Sequence, residues 1–242
     1  MTIEICIPAF NEERIIAEAA RAVGNVLQAA GKAALVTVSD NASTDATASI
    51  ARGIKGVSVL FVPIRGKGAA VIAAARRSEA DIFGFIDADL SADPANIPLL
   101  LSLLEGGACD IAIGSRLVDT HTVQRGMMRT VLSRMFNVVR KLIVGIRVED
   151  TQCGLKLMNA RGKAVLARCS ETGWFFDMEF LARAEAADLR IKEVPIGWDE
   201  HRMPWRASKL KYVRDSIGAL FAMLRIRSNL GVRSAAIEAV HK

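Results

Sequence analysis

A chain of 242 residues, about half of them apolar, has material for one large domain and excludes a disordered or fibrous protein. The net charge of +6 at pH 7 is too mild to argue for a nucleic-acid partner, so its distribution says more than its sum. Cys6, Cys109, Cys153 and Cys169 show no metal-ligand spacing and are expected to be reduced thiols of a cytosolic protein, serving mainly as packing residues. The start, MTIEICIPAF, lacks the basic opening and long apolar centre of a signal peptide. No window of about 20 residues is free of charge, so no membrane-spanning helix is expected.

The first half alternates. Apolar runs at Ile3–Pro8, Leu35–Ser39, Val57–Val62, Ile82–Ile86 and Ile111–Ile113 predict buried strands. Helical patterns lie between them, at Glu12–Ala30, Asp45–Arg52, Gly68–Ala80 and Ile97–Glu105. This order predicts an α/β domain with a mostly parallel sheet and helices on both faces. Ligands of such sheets bind beyond the carboxyl ends of the strands, where PAFNEE, SDNASTD and IDADLSAD stand.

The second half has another character. From Thr120 to Val148 no acidic residue occurs, while Arg125, Arg129, Arg134, Arg140, Lys141 and Arg147 do. Apolar residues from Met128 to Ile143 recur at helical spacing beside an arginine face, which predicts a basic amphipathic helix. It either packs on the core with a solvated basic side or lies on an anionic membrane surface. The tail from Ser208 to Lys242 repeats the pattern, with Leu210, Val213, Ile217, Leu220 and Leu224 forming a stripe.

Asp87 and Asp89 close the fourth apolar run. Side chains in a strand alternate, so both carboxylates are expected on the same side, about 7 Å apart. Neighbouring carboxylates resist joint ionisation unless a cation relieves them, and Mg²⁺ or Mn²⁺ takes oxygen ligands of this kind. Asp93-Pro94 has the form of a helix cap. Asp40 follows the second strand, either to accept the N–H of a nucleobase or to cap the next helix, a post that Ser43 or Asp45 also suits. In Arg65-Gly66-Lys67-Gly68, two glycines around a lysine suit the approach of backbone N–H groups and an ammonium to phosphate. No Gly-x-Gly-x-x-Gly follows the first strand, where Pro8 to Glu13 stands instead, which argues against a dinucleotide-dependent oxidoreductase.

Further strings follow in order: Gly114-Ser115-Arg116, Asp150-Thr151-Gln152-Cys153-Gly154-Leu155-Lys156, Trp174-Phe175-Phe176-Asp177-Met178-Glu179 and Glu193-Val194-Pro195-Ile196-Gly197-Trp198. With the earlier motifs they resemble the inverting family 2 glycosyltransferases of the GT-A fold. Within these the set is similar to the polyprenyl-phosphate sugar transferases, and the Asp-Thr-Gln-Cys-Gly string looks most like the dolichyl-phosphate glucosyltransferases. The resemblance implies one domain over residues 1–242, a nucleotide-sugar half at 1–115 and an acceptor half with membrane-surface helices at 116–242.

Carried over residue by residue, the resemblance implies that Asp87 and Asp89 hold a divalent metal on the donor diphosphate. Asp40 takes the base, and Pro8, Phe10 and Glu12 line the nucleoside pocket beside Lys67. Arg116 and Arg129 match arginines that grip an acceptor phosphate, and Lys209 matches a mobile-loop lysine near the phosphates. Gln152, Asp177 and Glu179 line the sugar and acceptor region, and either Arg202 or Arg206 meets phosphate. Three departures stand out: Ser91 replaces a common glutamine ligand, Arg65 replaces an asparagine, and the loop from His201 to Ala207 lacks the usual glycine.

The implied activity is transfer of a hexose, glucose first and mannose second, from a uridine or guanosine diphosphate sugar to a polyprenyl phosphate. The enzyme would act peripherally on the cytoplasmic membrane face. An ionised phosphate needs no base, whereas the alternative, a hydroxyl acceptor, requires one, for which Asp177 or Glu179 is the candidate.

Overall fold

The computed structural model describes residues 1–116, 144–197 and 223–228. Seven strands form one sheet in the order β3-β2-β1-β4-β6-β5-β7. They are β1 (Ile3–Ala9), β2 (Ala34–Asp40), β3 (Val57–Phe61), β4 (Ile82–Ile86), β5 (Ile111–Ser115), β6 (Leu155–Asn159) and β7 (Ile191–Pro195). The first four run parallel, and β5 runs parallel to β7. Every residue of β4 and β5 is buried, so both faces of the sheet must be covered.

Two groups of helices do this. Helix α1 (Ile16–Ala29) packs against α2 (Thr47–Arg52) and α4 (Ile97–Glu105), while α3 (Lys67–Arg77), α5 (Ala160–Ala167) and α6 (Phe176–Ala186) pack with one another. Helices α1 and α4 each present an apolar stripe. In α1 it is Ile16, Ala19, Ala20, Val23 and Leu27; in α4 it is Ile97, Leu100, Leu101 and Leu104. Burial of each such leucine or isoleucine is worth about 2 kcal/mol. All four cysteines are free and buried within this core.

The expected strands and helices are present with shifted edges. Helix α1 starts at Ile16 rather than Glu12, because the Glu12 carbonyl accepts from both Ile15 and Ile16 in a tight turn. Asp93 caps a short 3₁₀ turn at Pro94–Asn96, accepting from the Ala95 N–H at 2.9 Å. Strand β6 was not foreseen. It is antiparallel to both neighbours, pairing Ile86 with Leu155 and Ile82 with Asn159. Its reversed direction puts the chain entering it, Asp150 to Gly154, at the carboxyl ends of the parallel strands.

That entering segment is pinned by acids. The Glu185 carboxylate accepts from the N–H groups of Arg147 and Val148, and Glu193 accepts from those of Glu149 and Asp150. Asp150 itself receives the Arg116 backbone N–H at 2.9 Å and both arms of its guanidinium, at 2.7 and 2.6 Å. Burial works against the Asp150 charge, but Arg116 outweighs it and holds the carboxyl below its ordinary 3.8. A depressed carboxyl stabilises the fold above its unfolded value, and that contribution is lost as pH falls through the folded one. Asp150→Asn should therefore lower the unfolding free energy by about 3 kcal/mol at pH 7. Denaturant titrations should show the gap to wild type closing once pH drops below 3.8.

Candidate active site

A cavity of about 240 Å³ opens at the carboxyl ends of β1, β2 and β4. Pro8, Phe10 and Glu12 contribute one part of its wall, and Lys67, Asp87 and Asp89 contribute another. The first part is held by a lattice between two loops. Asn11, at φ 54°, a region asparagine tolerates, donates its N–H to Ser43 Oγ and accepts from the Thr44 N–H. Glu12 N–H donates to Thr47 Oγ1, and Glu13 N–H donates to Asp45 Oδ2. Asp45 also accepts from the Thr47 N–H where α2 begins, while the cap position itself falls on Ala46, which offers no side-chain cap bond.

Asp40 is buried, accepts from the Ser43 N–H at 3.4 Å, and is not among the residues lining the cavity. Its neighbour Asn41 is. The Asn41 amide donates to the Ile64 carbonyl and accepts from the Gly66 N–H, both at 2.5 Å, clasping the turn before α3. The sequence reading passed over Asn41; an amide directly after a strand-end acid was the available signal. Arg65 and Trp174 are two further wall residues without an expected role, Arg65 lying 4.8 Å over the Phe10 ring.

The Gly66–Gly68 turn differs from expectation. The Gly66 and Gly68 amides are already engaged within the protein. Gly68 and Ala69 donate their N–H groups to the carbonyls of Gly173 and Thr172. The glycines permit that contact: a Cβ on Gly66, at φ 137°, would fall 2.0 Å from the Thr172 oxygen, and one on Gly68 would fall 2.4 Å from the Glu171 oxygen. The loop they receive is itself fixed by Glu179, whose carboxylate accepts from Ser170 N–H, Ser170 Oγ, Glu171 N–H and Arg183 Nε. Glu171 pairs with Arg225 of the helical segment 223–228.

The two aspartates are also arranged differently. Strand β4 stops at Ile86, and Asp87 to Leu90 form a turn closed by Leu90 N–H on the Asp87 carbonyl, with Leu90 at φ 50°. A turn, not strand alternation, brings Asp87 and Asp89 to the cavity. Asp89 accepts from the Ser91 N–H at 3.1 Å. Asp87 packs so closely on Gly154 that a Cβ there would lie 2.2 Å from Oδ2. Lys67 Nζ stands 2.7 Å from Asp87 Oδ1, with the Trp174, Phe85 and Phe176 ring centres 5.3 to 5.8 Å away. Burial lifts the Asp87 carboxyl above the ordinary range; Lys67 opposes this, while Asp89 adds to it. Burial alone would lower Lys67, but Asp87 and Asp177 prevail and raise it, so it stays charged at neutral pH.

A second buried ion pair stands behind the first. Lys156 faces Phe85 across the β4–β6 ladder, reaches Asp177 Oδ1 at 2.6 Å, and donates to the Cys153 carbonyl at 2.7 Å. Lys156 and Asp177 are 0 and 2% exposed. Asp177 and Glu179 thus anchor the walls rather than line the cavity. Gln152 is half-buried, and its Nε2 lacks a partner among the described residues. The fork of Arg116 is held by Asp150. Arg129, Arg202 and Lys209 lie outside the described residues, as do most of the basic helix and tail.

Asp87 and Asp89 fit a divalent ion bound through two carboxylates, with diphosphate and water completing the shell. No group of three or more His, Cys, Asp or Glu is assembled for an all-protein cage among the described residues. No helix among them is long and apolar enough to cross a membrane.

The architecture is similar to glucosyl-3-phosphoglycerate synthase from Mycobacterium tuberculosis, crystallised with Mn²⁺, uridine diphosphate and glucosyl-3-phosphoglycerate. The TM-score is 0.68 at 24% identity, over 93% of this chain and 79% of that one. That likeness bears out the expected GT-A fold. In sequence the chain is 28% identical to glycosyltransferase AglD of Haloferax volcanii over 96% of its own length, though it spans only 38% of that relative. It is 30% identical to the dolichyl-phosphate β-glucosyltransferase of Saccharomyces cerevisiae over 89% of its length and 73% of the yeast protein's. A match to glycosyl transferase family 2 runs from residue 4 to residue 162, from the first strand through the paired aspartates and Gly154 into α5, and the chain belongs to that family.

Proposed function

We propose that this glycosyltransferase moves a hexose, glucose before mannose, from a nucleotide-sugar to a polyprenyl phosphate at a membrane surface. The observation that carries the reading is the state of the carboxylates. Of the three lining the cavity, Glu12 stands beside Pro8 and Phe10, and Asp87 and Asp89 form the pair suited to a metal. The two candidates for a general base, Asp177 and Glu179, are buried and committed to Lys156 and to the Ser170–Glu171 loop. A hydroxyl acceptor needs a base; a phosphate monoester, with a second pKa about 6, is already an anion at pH 7. The names of the yeast and Drosophila relatives, dolichyl-phosphate β-glucosyltransferases, support the same acceptor class.

Pro8, Phe10 and Glu12 would seat the nucleoside, Asn41 keeping the Ile64–Gly66 turn in place behind it. Asp87 and Asp89 would hold Mg²⁺ or Mn²⁺ against the diphosphate, where the ion supplies Lewis-acid neutralisation of the leaving group. Lys67 adds a second positive charge on that side. Arg129 would orient the acceptor phosphate, since a guanidinium fork matches phosphate oxygens, and Arg116, whose fork is held by Asp150, would add positive charge beside it. Catalysis then rests on alignment and charge neutralisation, and in-line attack turns an α-linked donor into a β-linked lipid. The basic segment around Arg129, for which the sequence predicts a helix, and the tail around Lys209 would meet anionic headgroups.

Purified protein incubated with Mg²⁺ or Mn²⁺, a short polyprenyl phosphate and a panel of sugar nucleotides should yield a lipid heavier by one hexose. Uridine diphosphate glucose is expected to be the best donor, and the dephosphorylated lipid should stay unchanged in the mass spectrum. Asp89→Ala should cut turnover by at least about 100-fold while the melting temperature stays near wild type; undiminished turnover would remove the metal assignment. Asp177→Asn alone strands the Lys156 charge and should cost about 3–5 kcal/mol of stability. The double variant Lys156→Met with Asp177→Leu should regain most of that stability and keep transfer activity. A folded double variant that has lost the roughly 10²–10⁴-fold owed to a general base would instead make Asp177 that base and the acceptor a hydroxyl.

A further inference from the structure

We propose that Lys67 is a built-in counter-cation that the divalent ion displaces from Asp87, and that the released ammonium passes to the donor diphosphate. Metal and nucleotide would then bind cooperatively through this one side chain. The inference rests on the metal-dependent reading above and adds a linkage between two ligands.

The geometry points to displacement. Of the two Asp87 oxygens, Oδ2 is packed on Gly154, where even a Cβ would come within 2.2 Å. Oδ1 is the oxygen that Lys67 holds, at 2.7 Å. An ion using Asp87 must share or take Oδ1, and two cations on one carboxylate oxygen repel strongly in a half-buried site. Asp87 is the one carboxylate in direct contact with Lys67; Asp177 and Asp89 act on it at longer range. The Lys67 side chain is 10% exposed, and the rings of Trp174, Phe85 and Phe176 pack around it. Aromatic faces attract an ammonium but do not neutralise it as a carboxylate does. Lys67 lines the cavity, so an anionic group arriving there is the natural second partner.

The order of events follows from charge. Without ligands, Lys67 lowers the repulsion between Asp87 and Asp89. When the ion arrives it takes over that duty, and the ammonium becomes available to phosphate. By linkage, whatever the nucleotide gains from a released Lys67 the metal gains in return.

Mn²⁺ binding to the full chain, followed by electron paramagnetic resonance with and without uridine diphosphate, tests this. Lys67→Met should bind free Mn²⁺ roughly ten-fold more tightly than wild type, and Lys67→Arg should resemble wild type. Uridine diphosphate should tighten Mn²⁺ binding more in wild type than in Lys67→Met. Equal Mn²⁺ affinities in wild type and Lys67→Met overturn the displacement but leave the metal reading standing. Absence of saturable Mn²⁺ binding in every form overturns both. Wild type provides a measurement that does not depend on the Met variant folding. The Lys67 ammonium resonance, identified by its loss in Lys67→Arg, should shift when Mg²⁺ is added without nucleotide. A resonance that stays put at saturating Mg²⁺ overturns the proposal.

Discussion

An ammonium held 2.7 Å from a carboxylate at the edge of an apolar core has to be fixed from several directions at once. Asp87 is delivered by the end of β4 and backed by Gly154, which enters β6. Lys67 is delivered by the first turn of α3, and that turn is docked through Gly66 and Gly68 onto the Glu171–Gly173 loop. Segments distant in sequence therefore converge on one ion pair. Burial penalises each charge, and proximity offsets that penalty, more than fully at Lys67 and only in part at Asp87. The fold is arranged so that this opposition is balanced on the wall of a cavity.

The parallel half was legible because fully buried strands read as apolar runs between turn residues. β6 was not. Its five residues carry a lysine at the second position, and an ionisable side chain in a short run reads as a loop. Lys156 is tolerable there only because Asp177, on α6, meets it inside the core. That partnership is tertiary and leaves no trace in local periodicity. The antiparallel direction of β6 was hidden for the same reason, and with it the meeting of Asp150–Gly154 with the paired aspartates.

The candidate site was legible in its residues more than in its geometry. Pro8, Phe10, Glu12, Lys67, Asp87 and Asp89 do share a cavity, because each follows a strand or opens the next helix of an α/β sheet. The roles of the glycines were harder to infer. A glycine announces that something comes close but not what: at Gly66 and Gly68 it is protein backbone. Acids likewise cannot be sorted by sequence alone. Asp150, Asp177 and Glu179 stand in strings as suggestive as the one holding Asp87, yet each is bound to an internal cation or to backbone amides.

Gly154 limits how this architecture can drift. Any side chain at that position would evict the Asp87 carboxylate from its present pose, since not even a methyl group fits beside it. A descendant that traded this glycine for alanine would have to surrender the acid's placement while leaving the surrounding sheet largely intact. Positions 154 and 87 are accordingly read together: a glycine at one is the room that the carboxylate at the other occupies.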